Sequence, residues 1–254
     1  MSVRPKKQLG QHFLVDENIL GVIDRLAELD TADVVLEIGP GLGILTRFLA
    51  NRVSFVHAVE LDRSLEEHLP KREDVHVHWG DALAVDLTSL EPTPRKLVAN
   101  LPYNVATPIV VESLDGLPSI ESWCVMVQRE VADRFFAEPS TKAYGAVSVL
   151  LQLAAERTGL HPVSREVFRP RPNVDSALVA FRRKPLPDDY ARIKRVVQSG
   201  FGYRRKTLPN SLALSGVATR AEAEAALRAI GRAPGVRAEA LEPHEFVALA
   251  EALA

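Results

Sequence analysis

Residues 33–43 read Asp-Val-Val-Leu-Glu-Ile-Gly-Pro-Gly-Leu-Gly. The run Asp33–Ile38 has the length and branched apolar content of a strand buried on both faces, and it ends in a loop with glycine at positions 39, 41 and 43. The apolar periodicity from Ile44 to Arg52 predicts a helix directly after the loop. A strand feeding a glycine-rich turn and then a helix is the opening of a nucleotide-binding α/β unit. Position 44 is Ile, so the spacing is E-x-G-x-G-x-G and not the G-x-G-x-x-G of dinucleotide folds. The glycines admit a ligand to the backbone. Glu37, set just before them, disfavours a phosphate and suits a cationic or amino-bearing group.

The same alternation continues on both sides. Asp16 is placed to cap a helix reaching about Asp30, with Ile19, Leu20, Ile23, Leu26 and Ala27 on one face. Strands are expected over Ser54–Val59, Val75–Trp79, Lys96–Ala99 and Ser122–Val127. Helices are expected from Asp62 to about Leu69, Thr107 to Leu114 and Arg129 to Phe136. Strands separated by helices predict a mostly parallel sheet covered on both faces. A helix near Gly145–Glu156 is followed by two strands, Arg157–Val163 and Val174–Arg183, with no helix between them, so an antiparallel hairpin is expected at one sheet edge. Lys184–Asp189 reads as a linker and only helical periodicity follows. The expected division is therefore an α/β domain over 1–184 and a small all-α domain over 185–254.

In open α/β sheets ligands bind at the carboxyl ends of the strands. Those ends carry Glu37, Gly39, Gly41 and Gly43, then Glu60 with Leu61, then Asp81 with Ala82, then Asn100. Glu60 is placed to accept from ribose hydroxyls and Asp81 from an adenine amino group; the alternatives are a helix cap for Glu60 and a turn residue for Asp81. Together with Glu37 they describe a nucleoside with a positive, phosphate-free tail, which S-adenosylmethionine fits.

After the fourth of these strands comes Asn100-Leu101-Pro102-Tyr103. Alone it could be a strand-to-helix turn. Beside a methyl donor it can do more, because an adenine N6 amino group is a poor nucleophile whose lone pair is delocalised into the ring. The Asn100 side-chain oxygen and the Leu101 carbonyl can both accept from that group and aim its lone pair. Pro102 holds the carbonyl's direction and Tyr103 stacks on the base, so the gain is mainly orientation. A base presented this way leaves its stack at a cost of a few kcal/mol, which roughly 1–3 kcal/mol per stacked ring offsets. Phe168 is the candidate second ring; its alternative is a core residue at a strand end.

These motifs carry a resemblance over nearly the whole chain. Gly10–Leu14, Glu37–Gly43, Val59–Asp62, Gly80–Ala82, Asn100–Tyr103, Lys142–Gly145, Phe168–Ala177 and Arg204–Leu208 resemble the ribosomal RNA adenine dimethyltransferase family, the small-subunit enzyme of the kasugamycin-sensitivity type. The resemblance implies a Rossmann-like class I methyltransferase with a seven-stranded sheet. It implies S-adenosylmethionine as cofactor, with Gln11, His12 and Leu14 folded over it. Many relatives have Asn where this chain has His12. The implied reaction is N6,N6-dimethylation of two adjacent adenosines in a hairpin loop near the 3′ end of 16S ribosomal RNA, within the assembling small subunit.

Composition agrees with a nucleic-acid partner held locally. The net charge of −2 divides into −7 over residues 1–180 and +5 over 181–254. Arg204, Arg205 and Lys206, with Arg169 and Arg171 in the proline loop, are the candidate RNA contacts, although such clusters are also common on solvated faces. The N-terminal stretch has no long apolar core, which predicts no secretory signal, and no apolar run is long enough for a bilayer. The lone Cys124 fits a reducing compartment and an inert core position. A cytoplasmic monomer without metal is expected; His76 and His78 lack partners for a metal site and read as surface strand positions. The competing readings are a large-subunit methyltransferase of the macrolide-resistance type, an RNA- or DNA-binding factor on this fold, and, disfavoured by the glycine spacing, a nicotinamide dehydrogenase.

Overall fold

A computed structural model describes residues 5, 6 and 9–253; Arg4 and Lys7 of the basic N-terminal stretch lie outside the described residues. The chain divides into two compact units, residues 1–132 with 157–183, and residues 133–156 with 184–254.

The first unit is built on strands β1 (Phe13–Leu14), β2 (Val34–Ile38), β3 (Phe55–Glu60), β4 (Val75–Trp79), β5 (Lys96–Asn100), β6 (Ser122–Gln128), β7 (Ala155–Val163), β8 (Phe168–Arg169) and β9 (Ser176–Arg183). Seven of them form one sheet in the order β4-β3-β2-β5-β6-β9-β7. The first five of that order run parallel and β9 lies antiparallel to β6. The sheet class expected from the strand–helix alternation is therefore the one found. The two late strands do occupy one edge, but the second of them is the inner one. Their sequences explain the order: Ser176 to Phe181 of β9 are all buried, whereas β7 exposes Glu156, Arg157 and Thr158 and belongs at an edge.

Helices α1 (Asn18–Ala27), α2 (Ile44–Leu49), α3 (Ala106–Gly116) and α4 (Arg129–Phe135) connect these strands. The N-cap of α1 is Glu17, which makes no side-chain cap hydrogen bond, and not the expected Asp16; Asp16, one residue earlier, accepts from the Asn18 N–H at 2.8 Å, and the helix stops at Ala27 because Glu28 turns left-handed at φ 49°. The helix expected before Leu69 is a 3₁₀ helix, Arg63–His68, capped by Asp62 through Ser64 N. Pro70 follows Leu69 and disfavours a helical conformation there. Val35, Leu36, Leu97, Val98, Val125 and Met126 make the sheet's buried centre. Arg183 closes the far end of α3, donating to the carbonyls of Leu114, Leu117 and Ile120 while lying 4.9 Å from the Trp123 ring centroid.

The second unit holds α5 (Ala146–Ala154), α6 (Tyr190–Phe201), α7 (Leu208–Leu214), α8 (Arg220–Ala229) and α9 (Pro243–Ala252). Residues 133–156 belong with these helices and not with the α/β part to which the 1–184 boundary assigned them. The cause is apolar matching. Val149, Leu150 and Leu151 of α5 are buried, and α5 packs on α6 and α9. Tyr144 sits on the same core, donating to the Leu241 carbonyl at 2.7 Å with its ring edge-on to Phe201. Thr219 and Glu222 form a capping box that starts α8. Among the described residues no helix is long and apolar enough to cross a membrane.

Candidate active site

The ends of β2, β3, β4 and β5 open on one cavity of about 240 Å³. Glu37, Gly39 and Gly41 line it from the first strand end, Glu60 and Leu61 from the second, Asp81 and Ala82 from the third, and Asn100–Tyr103 from the fourth. Gln11, His12 and Leu14 close it from the N-terminal segment. Strand-end residues as far apart in sequence as Glu37 and Tyr103 meet there because parallel crossovers return every strand in the same direction.

Two glycines shape the loop. Gly39 has φ 74°, and a Cβ there would stand 3.2 Å from the Pro102 ring. Gly41 has φ 59°, and a Cβ would stand 2.9 Å from the Phe13 ring. Both positions disfavour a side chain on conformation, and at each a Cβ would be crowded, more so at Gly41. Gly43 does not line the cavity. It starts α2 at φ 71° beside Arg47, His68 and Leu69, so its part is in the turn.

Glu37 is 1% exposed and its Oε2 has no hydrogen-bond partner. Burial pushes its carboxyl from the ordinary 4.5 up to about 8, with the nearby Glu60 charge adding and the Thr46 hydroxyl and Arg47 charge opposing. Glu60 is also buried and its value is raised by burial, against which the Asp62 and Gly41 N–H groups stabilise its charge at 2.7 and 3.1 Å. Asp81 accepts from the Leu83 N–H at 3.0 Å and stays exposed on the cavity side. Thus Asp81 is a turn residue and a cavity residue at once, and Glu60 holds the glycine loop while lining the pocket.

The N-terminal segment is tied down at both ends of the cavity. Gln11 and Lys6 donate to Asp62 at 3.0 and 2.6 Å. Burial alone would raise Asp62, yet the hydrogen bonds from Lys6, Ser64 and Gln11 hold its carboxyl well below the usual range. Farther along, Asn100 Nδ2 donates to the His12 carbonyl at 3.1 Å, and His12 Nδ1 lies 2.7 Å from the Pro170 carbonyl oxygen. β1 then pairs antiparallel with β8, Phe13 opposite Arg169 and Leu14 opposite Phe168.

That pairing decides Phe168. Its side chain is 0% exposed in the hydrophobic core with Leu14, Ile19 and Leu178, and it does not line the cavity. The expectation of a second stacking ring at this residue is corrected by its burial. The ring beside Tyr103 is the imidazole of His12, centroids 5.1 Å apart. The Tyr103 hydroxyl is held by Ser176 Oγ at 2.5 Å, and burial raises its pKa above the ordinary phenol value. Leu101 is buried, its N–H donating to the Met126 carbonyl, while the Pro102 carbonyl accepts from Val105 and closes the turn. Arg169 and Arg171 are exposed, Arg171 in an ion pair with Glu166; Arg204, Arg205 and Lys206 are exposed on the helical unit.

Sequence reasoning missed Phe13 as the lid on Gly41, Asp62 as the anchor of the N-terminal segment, and Ser176 as the partner of Tyr103. Asp62 and Phe13 lie inside motifs that were visible, but their roles needed the fold. It also missed buried His57, whose Nδ1 is 3.0 Å from His78 Nε2, so His78 is half-buried and not a plain surface position. Burial lowers the His78 value to about 4 and lowers His57 too. Cys124 is buried, and burial pushes its thiol up to about 12. Among the described residues no group of three or more His, Cys, Asp or Glu is arranged to hold a metal ion.

A seven-stranded sheet with an antiparallel strand near its edge, a glycine loop after β2 and acidic strand ends around one cavity define a class I methyltransferase. The family model for ribosomal RNA adenine dimethylase matches residues 3–254, and the chain belongs to that family. Among relatives, "Ribosomal RNA small subunit methyltransferase A" of Rubrobacter xylanophilus is 48% identical over 251 residues, 97% of this chain and 94% of that protein. Among solved structures, a dimethyladenosine transferase from Plasmodium falciparum shares the fold with a TM-score of 0.77 at 22% identity, over 94% of this chain and 96% of that one. The 23S rRNA methyltransferase ErmE is similar with a TM-score of 0.65 at 30% identity, over 95% of this chain and 99% of that one.

Proposed function

We propose that this chain is a cytoplasmic enzyme that N6,N6-dimethylates two adjacent adenosines in the 3′-terminal hairpin loop of 16S ribosomal RNA, acting as a monomer on the assembling small subunit. The observation that carries the reading is the meeting of Glu37 and Asn100–Tyr103 on one cavity, in a chain so similar to a small-subunit methyltransferase A. The lower identity to a large-subunit enzyme supports the small-subunit substrate.

The cavity fits S-adenosylmethionine. The unpartnered Glu37 oxygen suits a cationic amino group, glycine backbone allows close approach, and the acidic residues Glu60 and Asp81 suit hydroxyl and amino donors. When bound, that cofactor supplies an electrophilic methyl group on a sulfonium. Gln11, His12 and Leu14 would cover it, with Leu61 and Ala82 flanking the nucleoside.

Asn100 is oriented by its own hydrogen bond: with Nδ2 donating to the His12 carbonyl, its Oδ1 remains an acceptor for the adenine amino group. With the Leu101 carbonyl it draws the two N–H bonds aside and turns the nitrogen lone pair outward. Pro102, seated on Gly39, keeps this turn rigid. Tyr103, its hydroxyl bound to Ser176, offers a fixed ring to the base. After methylation the nitrogen is cationic and loses its proton readily, so no strong base is required. Arg204, Arg205 and Lys206 contribute phosphate contacts from the helical unit.

The test is transfer of labelled methyl groups to undermethylated ribosomal subunits. Label in small-subunit RNA supports the reading. Label confined to large-subunit RNA hands the chain to the macrolide-resistance activity, and binding without label leaves an RNA-binding factor.

A further inference from the structure

On the outer side of the N-terminal segment lies a second, open groove of about 460 Å³. Arg47, His68 and Arg169 stand on it, over a floor that includes Phe13, Ile44 and Pro170. Phe13, Leu42 and Ile44 line both this groove and the methyl-transfer cavity. Arg47 and Arg169 are exposed, and each is braced. Arg47 donates to the carbonyls of Leu42 and His68 at 2.9 Å each, and Arg169 to those of Phe168 and Glu166 at 2.8 and 3.1 Å. A guanidinium has five N–H donors, so bonds to neutral carbonyls hold the fork in place without cancelling its charge. The nearby Glu166 carboxylate pairs with Arg171.

We propose that this groove binds the RNA strand next to the adenosine in the cavity, one phosphodiester on Arg47 and Arg169 and the adjoining nucleoside on the Ile44–Pro170 floor. Two fixed cations beside an apolar shelf match a nucleotide's anionic link and its flat base. The groove gives a flipped adenosine's neighbour a place to go, which steadies the extruded strand at the cavity mouth. Arg47 thereby joins Arg169 as an RNA contact. The inference rests on the reading of the chain as an RNA methyltransferase.

The test is equilibrium binding of undermethylated small ribosomal subunits between about 50 and 200 mM salt, with S-adenosylmethionine affinity measured in parallel. The variant Arg47→Gln/Arg169→Gln is expected to bind particles about tenfold or more weakly, with the logarithmic salt slope shallower by roughly 1–2, and to lose much less affinity for S-adenosylmethionine than for particles, the Arg47 charge also favouring ionised Glu37. His68→Glu keeps the main-chain acceptor of Arg47 and adds a negative charge, so it is expected to weaken particle binding in the same way. Arg47→Lys keeps the charge and is expected to retain most of the slope. An unchanged slope in the Arg47→Gln/Arg169→Gln variant, while the wild type methylates small-subunit RNA, overturns the groove and leaves the activity standing. Equal losses for particle and S-adenosylmethionine mean the arginines only support the cavity, which also overturns it. A wild-type protein that neither binds nor methylates the particles overturns both readings.

Discussion

Glu37→Gln separates what the buried carboxyl does to the free protein from what it does for the bound one. The carboxyl's value rises from 4.5 to about 8 on folding. A raised carboxyl favours the protonated native state, so its contribution to stability is full below about pH 4.5 and is lost as the pH climbs toward about 8. At pH 7 the unfolded chain has released this proton and the folded chain still holds it. At about 1.36 kcal/mol per pH unit, that difference costs the wild type about 3 kcal/mol at pH 7 relative to acid conditions. Gln cannot ionise, so urea denaturation of the variant and wild type is expected to differ by an offset that grows by about 3 kcal/mol from about pH 4 to pH 7, in the variant's favour. S-adenosylmethionine binding runs the other way. Its cationic group meets the ionised carboxylate, so wild-type affinity rises from about pH 6 to pH 7 with release of a proton. The variant is expected to bind about tenfold to a hundredfold more weakly, with that proton release gone, as loss of one charge-assisted hydrogen bond implies. Calorimetry in two buffers of different ionisation enthalpy reads the proton directly. An offset independent of pH, or equal proton release by both proteins, refutes the argument from the orphaned oxygen.

Asn100→Ala is expected to lower methyl transfer by about 10²–10³ in kcat while S-adenosylmethionine affinity, read by calorimetry, changes by less than about threefold. Unchanged turnover at saturating donor removes Asn100 from the chemistry. Phe168→Ala is expected to destabilise the protein by about 3–5 kcal/mol in urea denaturation, as a fully buried ring does; an unaltered midpoint means the ring is not in the core. Replacing Arg204, Arg205 and Lys206 together with Ala is expected to make the salt dependence of particle binding shallower by roughly one unit for each phosphate no longer neutralised. An unchanged slope makes that cluster a solvated face.

The strand ends were legible because each is a local event. Glu37, Glu60, Asp81 and Asn100 each stand at or just beyond the end of a short strand, and parallel topology then brings them together without further information. Phe168 was not legible, because its burial depends on Leu14, its partner across a two-residue ladder between distant parts of the chain. The same ladder and the Asp62 anchor bring the N-terminal segment over the cavity, a placement suggested by family resemblance and not by periodicity. Residues 133–156 follow the same rule. Helical spacing announced α5, but which core would take Val149 and Leu150 is settled by α6 and α9 far along the chain. Arg47 escaped notice because a single arginine in a short helix carries no signal until Arg169 and His68 stand beside it.

The central claim is tested most directly by mapping the product. Undermethylated small subunits are incubated with the protein and S-adenosylmethionine, and the 3′-terminal fragment of their RNA is analysed by mass spectrometry. Two adjacent adenosines, each carrying two methyl groups on N6 and absent with the Asn100→Ala protein, are the expected result. Unmethylated adenosines at that hairpin, or methyl groups on another base or another nitrogen, contradict it.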